Sequence, residues 1–465
     1  MSITLGTDER PLRVAIVGSG PAGFYAAEAL FKATIKVKVD MFDRLPAPFG
    51  LVRYGVAPDH PKIKNVIKVF EKTAERENFT FLGNVNVGKD VSVEILRKHY
   101  DALIFCNGAE TDRKLGVPGE DLAGSHTATE FVAWYNGRPE YKDRVFDLSQ
   151  EVAVVIGQGN VAMDVSRILC KTVDELKNTD ICKHALEVLT SNKIKEVHLI
   201  GRRGPAQAAF TSPEIREFGE LADCIPVFHN PDDMNLNEAS RKELEDPQNA
   251  PKKKNYEILQ GYLNLQAGNK KRRFVIHFLE SPVEIIGSRF VEKVVFEQNV
   301  LTGEPGKQKS KGIGKRTQLP CGLIFRSVGY RGIPIPGLPF HDQSGIIPNQ
   351  QGRIADSEHI YHDLYCAGWI KRGPSGVIGT NKPDSEETVA KLLEDLPNLN
   401  PCSIPSTEKL IAWLKDKEVR VVSFADWKKI DTAEMERGKK AGKPREKFVT
   451  IQGMLSACNP TYQGA

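Results

Sequence analysis

An α/β protein of two parallel-sheet units, the second inserted into the first, is predicted by three features of this sequence. Two apolar strand patterns each run into a glycine-rich turn and then a helix, at residues 14–23 and 152–162. A matched pair of apolar strands, residues 103–108 and 323–329, ends each time at a glycine, as expected where the chain leaves one unit and returns to it. The 465 residues also exceed what one hydrophobic core organises, which points to two or three domains.

Within the first pattern, Gly18 allows a tight turn, Gly20 lets the backbone approach a pyrophosphate, and Gly23 lets the helix pack closely on its strand. The first helical amides and the helix dipole then face the phosphates. A second strand, residues 37–42, ends in Asp43, and 43 − 23 = 20 residues past the last glycine is where an acid is expected to hold a ribose hydroxyl. Residues 14–43 therefore read as a site for an adenine dinucleotide of the Rossmann type.

Residues 44–61 carry four prolines and two glycines, which forbids a regular helix and marks a functional loop. Ile63, Val66, Ile67 and Phe70 recur at helical spacing and predict an amphipathic helix over 62–77. Residues 80–87 and 102–106 read as strands. The second glycine turn, Gly157, Gln158, Gly159, Asn160, Val161 and Ala162, follows a buried strand and opens a helix over 163–169. Where the first unit ends its second strand in an acid, this one ends it in Arg202 and Arg203. A carboxylate repels a ribose phosphate, whereas two guanidinium groups clamp it with charge-assisted bonds, so the second site selects NADPH over NADH.

Residues 171–193, lying between that turn and the arginines, read as a partly helical surface insertion, and residues 231–255 as a loop or loosely packed helix. Basic runs at Lys252 to Lys254, Lys271 to Arg273 and Lys307 to Arg316 are solvated faces or docking sites, with Arg241 and Lys242 as further docking candidates. Residues 365–381 run from a strand into a third glycine-rich turn, with Trp369 as a flat surface and a helix over 385–393 whose Asp384 and Glu387 form a capping-box variant. Trp413 and Trp427 fall in amphipathic patterns and read as core.

Composition excludes several classes. No apolar run is long enough to cross a bilayer, and a net charge of +4 is too small for a nucleic-acid binder. The eight cysteines form no C-x-x-C pair and no metal spacing, so no metal is predicted and electrons cannot pass through an internal dithiol or cluster. They read as buried thiols in a reducing compartment. The start of the chain shows no signal core, which points to a cytoplasmic protein, or to the mitochondrial matrix if a leader has been removed.

The segments at 18–23, 48–61, 157–165, 201–205 and 368–378 resemble those of the adrenodoxin reductase and NADPH:ferredoxin reductase family, in its bacterial branch. The resemblance covers nearly the whole chain. It implies FAD in the first unit and NADP in the second, hydride transfer to the flavin, and single electrons passed on to a ferredoxin or adrenodoxin-type iron–sulfur protein. By this similarity Ala22, Asp43, Leu51, Val87, Trp369, Val377 and Ile378 contact FAD, and Gly376 lies between the two nucleotides. Gln158, Gly159, Asn160, Val161, Arg202, Arg203 and Glu214 hold NADPH. His60, Asp164 and Glu214 orient the reacting groups and supply protons. Asp43 stands where a glutamate is commoner, with shorter reach and the same charge. The expected layout is an FAD domain at 1–108 and 330–465, the latter with a C-terminal extension, and an NADP domain at 109–329, in a monomer. The alternative activities are a diaphorase using small quinones and a nucleotide sensor without turnover.

Overall fold

The structure is a computed structural model that describes residues 4–458. It divides into two compact units, one of Met1–Thr111, Asn136–Lys142 and Gly329–Ala465, the other of Asp112–Tyr135 and Asp143–Val328.

The first unit is built on β1 (Leu12–Val17), β2 (Val37–Asp43), β3 (Phe79–Gly83) and β4 (Ala102–Phe105), with helix α1 (Pro21–Phe31) between the first two strands. All six residues of β1 are buried, as a strand covered on both faces requires. β1 lies between β4 and β2, and β3 flanks β2, all parallel. On the other side of β4 come Ile360–Cys366, in parallel, and then the short antiparallel strands Arg353–Ala355 and Asn349–Gln350, making seven strands. Strand order therefore reverses at β1 and β4, the place where open α/β sheets form their crevice. α1 buries Phe24, Ala26, Ala27 and Leu30 on the sheet. The Phe24 ring stacks on Phe70 at 4.9 Å, and Phe49 meets Trp427 edge-on at 5.9 Å. Each such fully buried ring contributes about 1.5–3 kcal/mol. Trp427 is thus core, and Trp413 packs at the edge of the cluster around Leu410 and Leu414.

Several local expectations need correction. The proline-rich loop contains a single helical turn, Leu51–Tyr54, because its prolines at 46, 48, 58 and 61 leave that stretch free of ring constraints. The helix expected over 62–77 is two pieces, Pro61–Lys64 and Ile67–Ala74; Phe70 is buried, whereas Ile63 is exposed. β3 stops at Gly83 because the next residue, Asn84, turns into the left-handed region at φ 59°. The helix expected from 385 begins at Asn381 and runs to Asp395, so Asp384 and Glu387 lie inside it and make no capping box.

The second unit repeats the plan. Its parallel six-stranded sheet runs in the order Ser125–Thr127, Leu323–Arg326, Val152–Ile156, Glu196–Ile200, Arg272–His277, Cys224–Phe228, with the helix Asn160–Cys170 following the central strand. A separate antiparallel sheet joins Glu280–Ile286, Lys293–Thr302 and Lys309–Pro320. Residues 171–193 carry two helices, Val173–Leu176 and Lys183–Thr190, and bury Leu176, Ile181, Cys182 and Ala185 completely. The segment is an integral part of the unit instead of a surface insertion. Residues 231–255 likewise hold the helix Glu238–Glu245 and the start of Ala250–Tyr262.

All eight cysteines are buried, and none is joined in a disulfide. Among the described residues, no helix is long and apolar enough to cross a membrane.

Candidate functional site

In the first unit the glycine turn is closed by backbone contact that only glycine permits. A Cβ on Gly18, at φ +109°, would lie 2.4 Å from the Cys106 carbonyl oxygen, and one on Gly23 would lie 2.1 Å from the Gly18 oxygen. Gly20 opens on free space, and no side chain caps the amino end of α1 that follows it. Those first-turn amides are the polar surface a pyrophosphate takes. Asp43, at the end of β2, accepts from the Ser19 N–H at 3.2 Å, from the Ser19 hydroxyl, and from the Leu45 N–H at 2.9 Å. Burial pushes its pKa up, and these donors hold it back. Just past the end of β4, Asn107 Oδ1 is buried with no hydrogen-bond partner among the described residues. An uncapped helix start, a half-buried acid and an orphaned amide oxygen at the carboxyl ends of neighbouring central strands suit a dinucleotide, so the residues present fit the flavin cofactor expected there.

The proline-rich loop reaches the same place. Phe49 donates its N–H to the Ser19 oxygen at 3.0 Å, and Gly50 sits so close to Gly20 that an added Cβ would be 3.0 Å from its Cα. Leu51 follows, half-buried. Val87 packs in the cluster that holds Val17 and Phe42. The C-terminal turn arrives through Gly368, where a Cβ would meet that of Ala22 at 2.6 Å. Ser385 donates to the Ala22 oxygen at 3.0 Å, and Asp384, misread as a cap, accepts from the Gly368 N–H at 2.5 Å. The Trp369 indole donates to the Ser375 oxygen at 3.2 Å. Gly376 has φ +79°, and a Cβ there would strike Thr380 Oγ1 at 2.3 Å. Val377 is 55% exposed, an apolar side chain left outside the core at the edge of this cradle. Ile378 opens the short 3-10 turn Ile378–Thr380 behind it.

The second unit repeats the closure. Gly157 has φ +131°, and a Cβ on it would be 2.1 Å from the Ser327 oxygen, while Gly159 opens on free space. Gln158 donates from Nε2 to the His277 oxygen at 3.0 Å, and Asn160 Oδ1 accepts from the Thr211 N–H at 2.9 Å. Val161 is half-buried in the first turn of its helix, Arg202 is exposed and Arg203 half-buried.

Asp164 and Glu214 are brought together by a residue that sequence reasoning did not single out. Arg167, fully buried, donates to Asp164 at 2.6 Å and to Glu214 at 2.9 Å, and its Nε lies 3.1 Å from Glu217. The i, i+3 spacing of Asp164 and Arg167 was the available signal. His60, in the first unit, precedes Pro61–Lys64 and donates its N–H to the Ala57 oxygen at 3.1 Å.

The profile of the pyridine nucleotide-disulphide oxidoreductase family matches residues 12–219. The chain is 46% identical over 458 residues to NADPH-ferredoxin reductase FprA of Mycobacterium tuberculosis, covering 96% of this chain and 99% of that one. This chain belongs to the NADPH-ferredoxin and NADPH:adrenodoxin reductase family. Within that family it is also 42% identical over 463 residues to the mitochondrial NADPH:adrenodoxin oxidoreductase of Homo sapiens, covering 97% of this chain and 92% of the other. The structure of Mycobacterium tuberculosis FprA in complex with NADPH superimposes with a TM-score of 0.90 at 45% identity, over 97% of this chain and all of that one. The bacterial relative is the more similar of the two, as the sequence resemblance implied.

The basic runs behave less uniformly than their charge suggests. Arg272 is turned inward and donates to the Cys170 and Lys171 carbonyls at 3.0 and 2.8 Å. Lys252 is paired with the buried Glu243 at 2.5 Å, and Lys242 with Glu238 at 2.7 Å.

Proposed function

We propose that this protein is an NADPH-dependent flavoprotein, with FAD as its cofactor, that passes single electrons to a ferredoxin or adrenodoxin-type iron–sulfur protein. The observation that carries this reading is the pairing, in one chain, of two glycine-turn cradles with opposite charge at the end of the second strand: Asp43 in one, Arg202 and Arg203 in the other. When bound, FAD supplies the chemistry the side chains lack, taking two electrons at once and releasing them one at a time.

The chain's own residues bind and orient. Gly18, Gly20, Ala22 and Gly23 would cradle the flavin nucleotide's pyrophosphate, and Asp43 its ribose. Leu51, Val87, Trp369, Val377 and Ile378 would line its ring, with Gly376 at the nicotinamide side. Gln158, Gly159, Asn160 and Val161 would hold the second pyrophosphate, Arg202 and Arg203 the ribose phosphate, and Glu214 the nicotinamide end. Hydride transfer needs no acid or base, so His60, Asp164 and Glu214 serve orientation and proton supply, the latter two fixed in place by Arg167. A monomer working in the cytoplasm, or in the matrix for a mitochondrial form, completes the reading; buried cysteines outside any disulfide suit either compartment.

Anaerobic titration of the purified protein with NADPH is expected to bleach a bound flavin spectrum, and an acidic iron–sulfur protein is expected to reoxidise it with saturation. Colourless protein, or turnover only with small quinones, would overturn the assignment. Gly157→Ala is expected to weaken NADPH at least a hundredfold while flavin stays bound, since backbone cannot yield to a Cβ placed 2.1 Å from a carbonyl oxygen. Equilibrium titration of nicotinamide against the flavin-loaded variant checks this.

A further inference from the structure

Arg202 and Arg203 belong to a loop open to solvent, yet the loop's backbone is tied at every residue. The Gly201 N–H donates to the His277 oxygen at 3.0 Å, and the Gly201 oxygen accepts from the Glu280 N–H at 3.1 Å. The Arg203 oxygen accepts from the Leu279 N–H at 3.2 Å. Between them, the Arg202 oxygen accepts from Asn299 Nδ2 at 3.0 Å. Gln158, in the glycine turn, hangs on the same His277 oxygen. One short turn, residues 277–280, therefore holds both parts of the nucleotide cradle.

That turn is itself under constraint. Leu279 sits at φ 57°, in the left-handed region that a leucine seldom enters. Two devices keep it there. Asn299, 4% exposed, comes from Lys293–Thr302 at the register shift after Glu297, donates its N–H to the Leu279 oxygen at 2.6 Å, and shares its amide between Arg202 and Ser281 Oγ, the latter at 2.8 Å. On the other side the buried Glu280 takes Nδ1 of His277 at 2.7 Å and lies 3.5 Å from the Thr317 hydroxyl. His277 Nε2 in turn meets His198 Nδ1 at 2.8 Å, and His198 Nε2 lies 3.1 Å from Glu196. Burial pushes both imidazoles down, His198 to about 4, so each carries one proton at neutral pH.

We propose that Asn299 and Glu280 are positioning residues for nicotinamide selection: they lock the 277–280 turn, and the turn aims the arginine pair at the ribose phosphate. This rests on the reading that Arg202 and Arg203 hold that phosphate. Both act through contacts with the loop and the turn: Asn299 through the Arg202 and Leu279 carbonyls, and Glu280 through the His277 ring and its own N–H to the Gly201 oxygen.

The test measures KM and kcat for NADPH and NADH in flavin-loaded Asn299→Ala, Glu280→Ala and Glu280→Gln, beside the Arg202→Ala, Arg203→Ala double variant. Asn299→Ala and Glu280→Ala are expected to raise KM for NADPH about tenfold, with kcat and KM for NADH unchanged. Glu280→Gln, whose amide oxygen still accepts from His277, is expected to stay near wild type. A merely structural role would move both nicotinamides together and lower flavin content. Parallel changes for both, or no change while the arginine double variant loses its preference, would overturn the brace. An arginine double variant that keeps its preference would remove the underlying phosphate assignment and the brace with it. Should Asn299→Ala fail to fold, the Glu280 pair reads the same loop from the other side.

Discussion

Replacing Arg202 and Arg203 together by alanine is expected to reduce the preference for NADPH over NADH by about a hundredfold to ten-thousandfold. Each charge-assisted bond to a phosphate contributes about 1.5–3 kcal/mol, and two of them set that range. The loss should fall on KM for NADPH, because the phosphate is equally far from the reacting atoms before and during hydride transfer. NADH kinetics and flavin content should remain as they were. Steady-state kinetics with both nicotinamides, repeated at two salt concentrations, make the check; a preference that survives the double substitution would dismiss the role of these side chains.

Glu434→Ala is expected to cost the first unit about 3–5 kcal/mol, the usual result of leaving one member of a buried ion pair alone. Arg53, in the single helical turn of the proline-rich loop, donates to both oxygens of Glu434 at 2.9 and 2.6 Å, and both side chains are almost wholly buried. Arg53 also lies 5.0 Å over the Trp427 ring. Glu434 takes a third and fourth donor, Arg445 at 3.1 Å and the Phe448 N–H at 2.9 Å. Burial raises the carboxyl's pKa, Arg53, Arg445 and the Phe448 N–H together more than reverse it, and the net result lies below the ordinary 4.5. A depressed carboxylate contributes its full stability above pH 4.5 and loses it as pH falls through the lowered value, so Glu434→Gln should flatten part of the acid limb of the unfolding curve. Because Leu51 precedes Arg53 by two residues, flavin release should accelerate with the loss of stability. Denaturant unfolding and flavin dissociation rates test both; an apolar double replacement, Arg53→Met with Glu434→Leu, should recover much of the stability.

What could be read in the sequence was what is local. The two glycine turns, Asp43 and the arginine pair each lie within one βαβ unit, where spacing along the chain is spacing in the fold. The pair Arg53 and Glu434 is separated by 381 positions, and Asn299 reaches Arg202 from 97 residues away. No periodicity encodes such meetings. Asp384 shows the reverse error: its place ahead of an apolar run looked like a cap, but the helix begins a turn earlier and the acid serves Gly368. Arg272 looked like surface charge because its neighbours are basic, although the strand it starts turns it onto the Cys170 and Lys171 carbonyls. Arg167 was hidden by its helix, whose apolar stripe reads as core whether or not a cation is folded into it.

Eight sulfhydryls shut away from solvent turn the enzyme into its own unfolding clock. A maleimide added to the native protein is expected to find no accessible thiol, so that each adduct later seen in a mass spectrum dates the opening of one particular stretch of chain. Cys106 and Cys366 report from beside the first glycine turn, Cys170 and Cys224 from within the second unit, and the order in which they are labelled would show which half of the molecule lets go first.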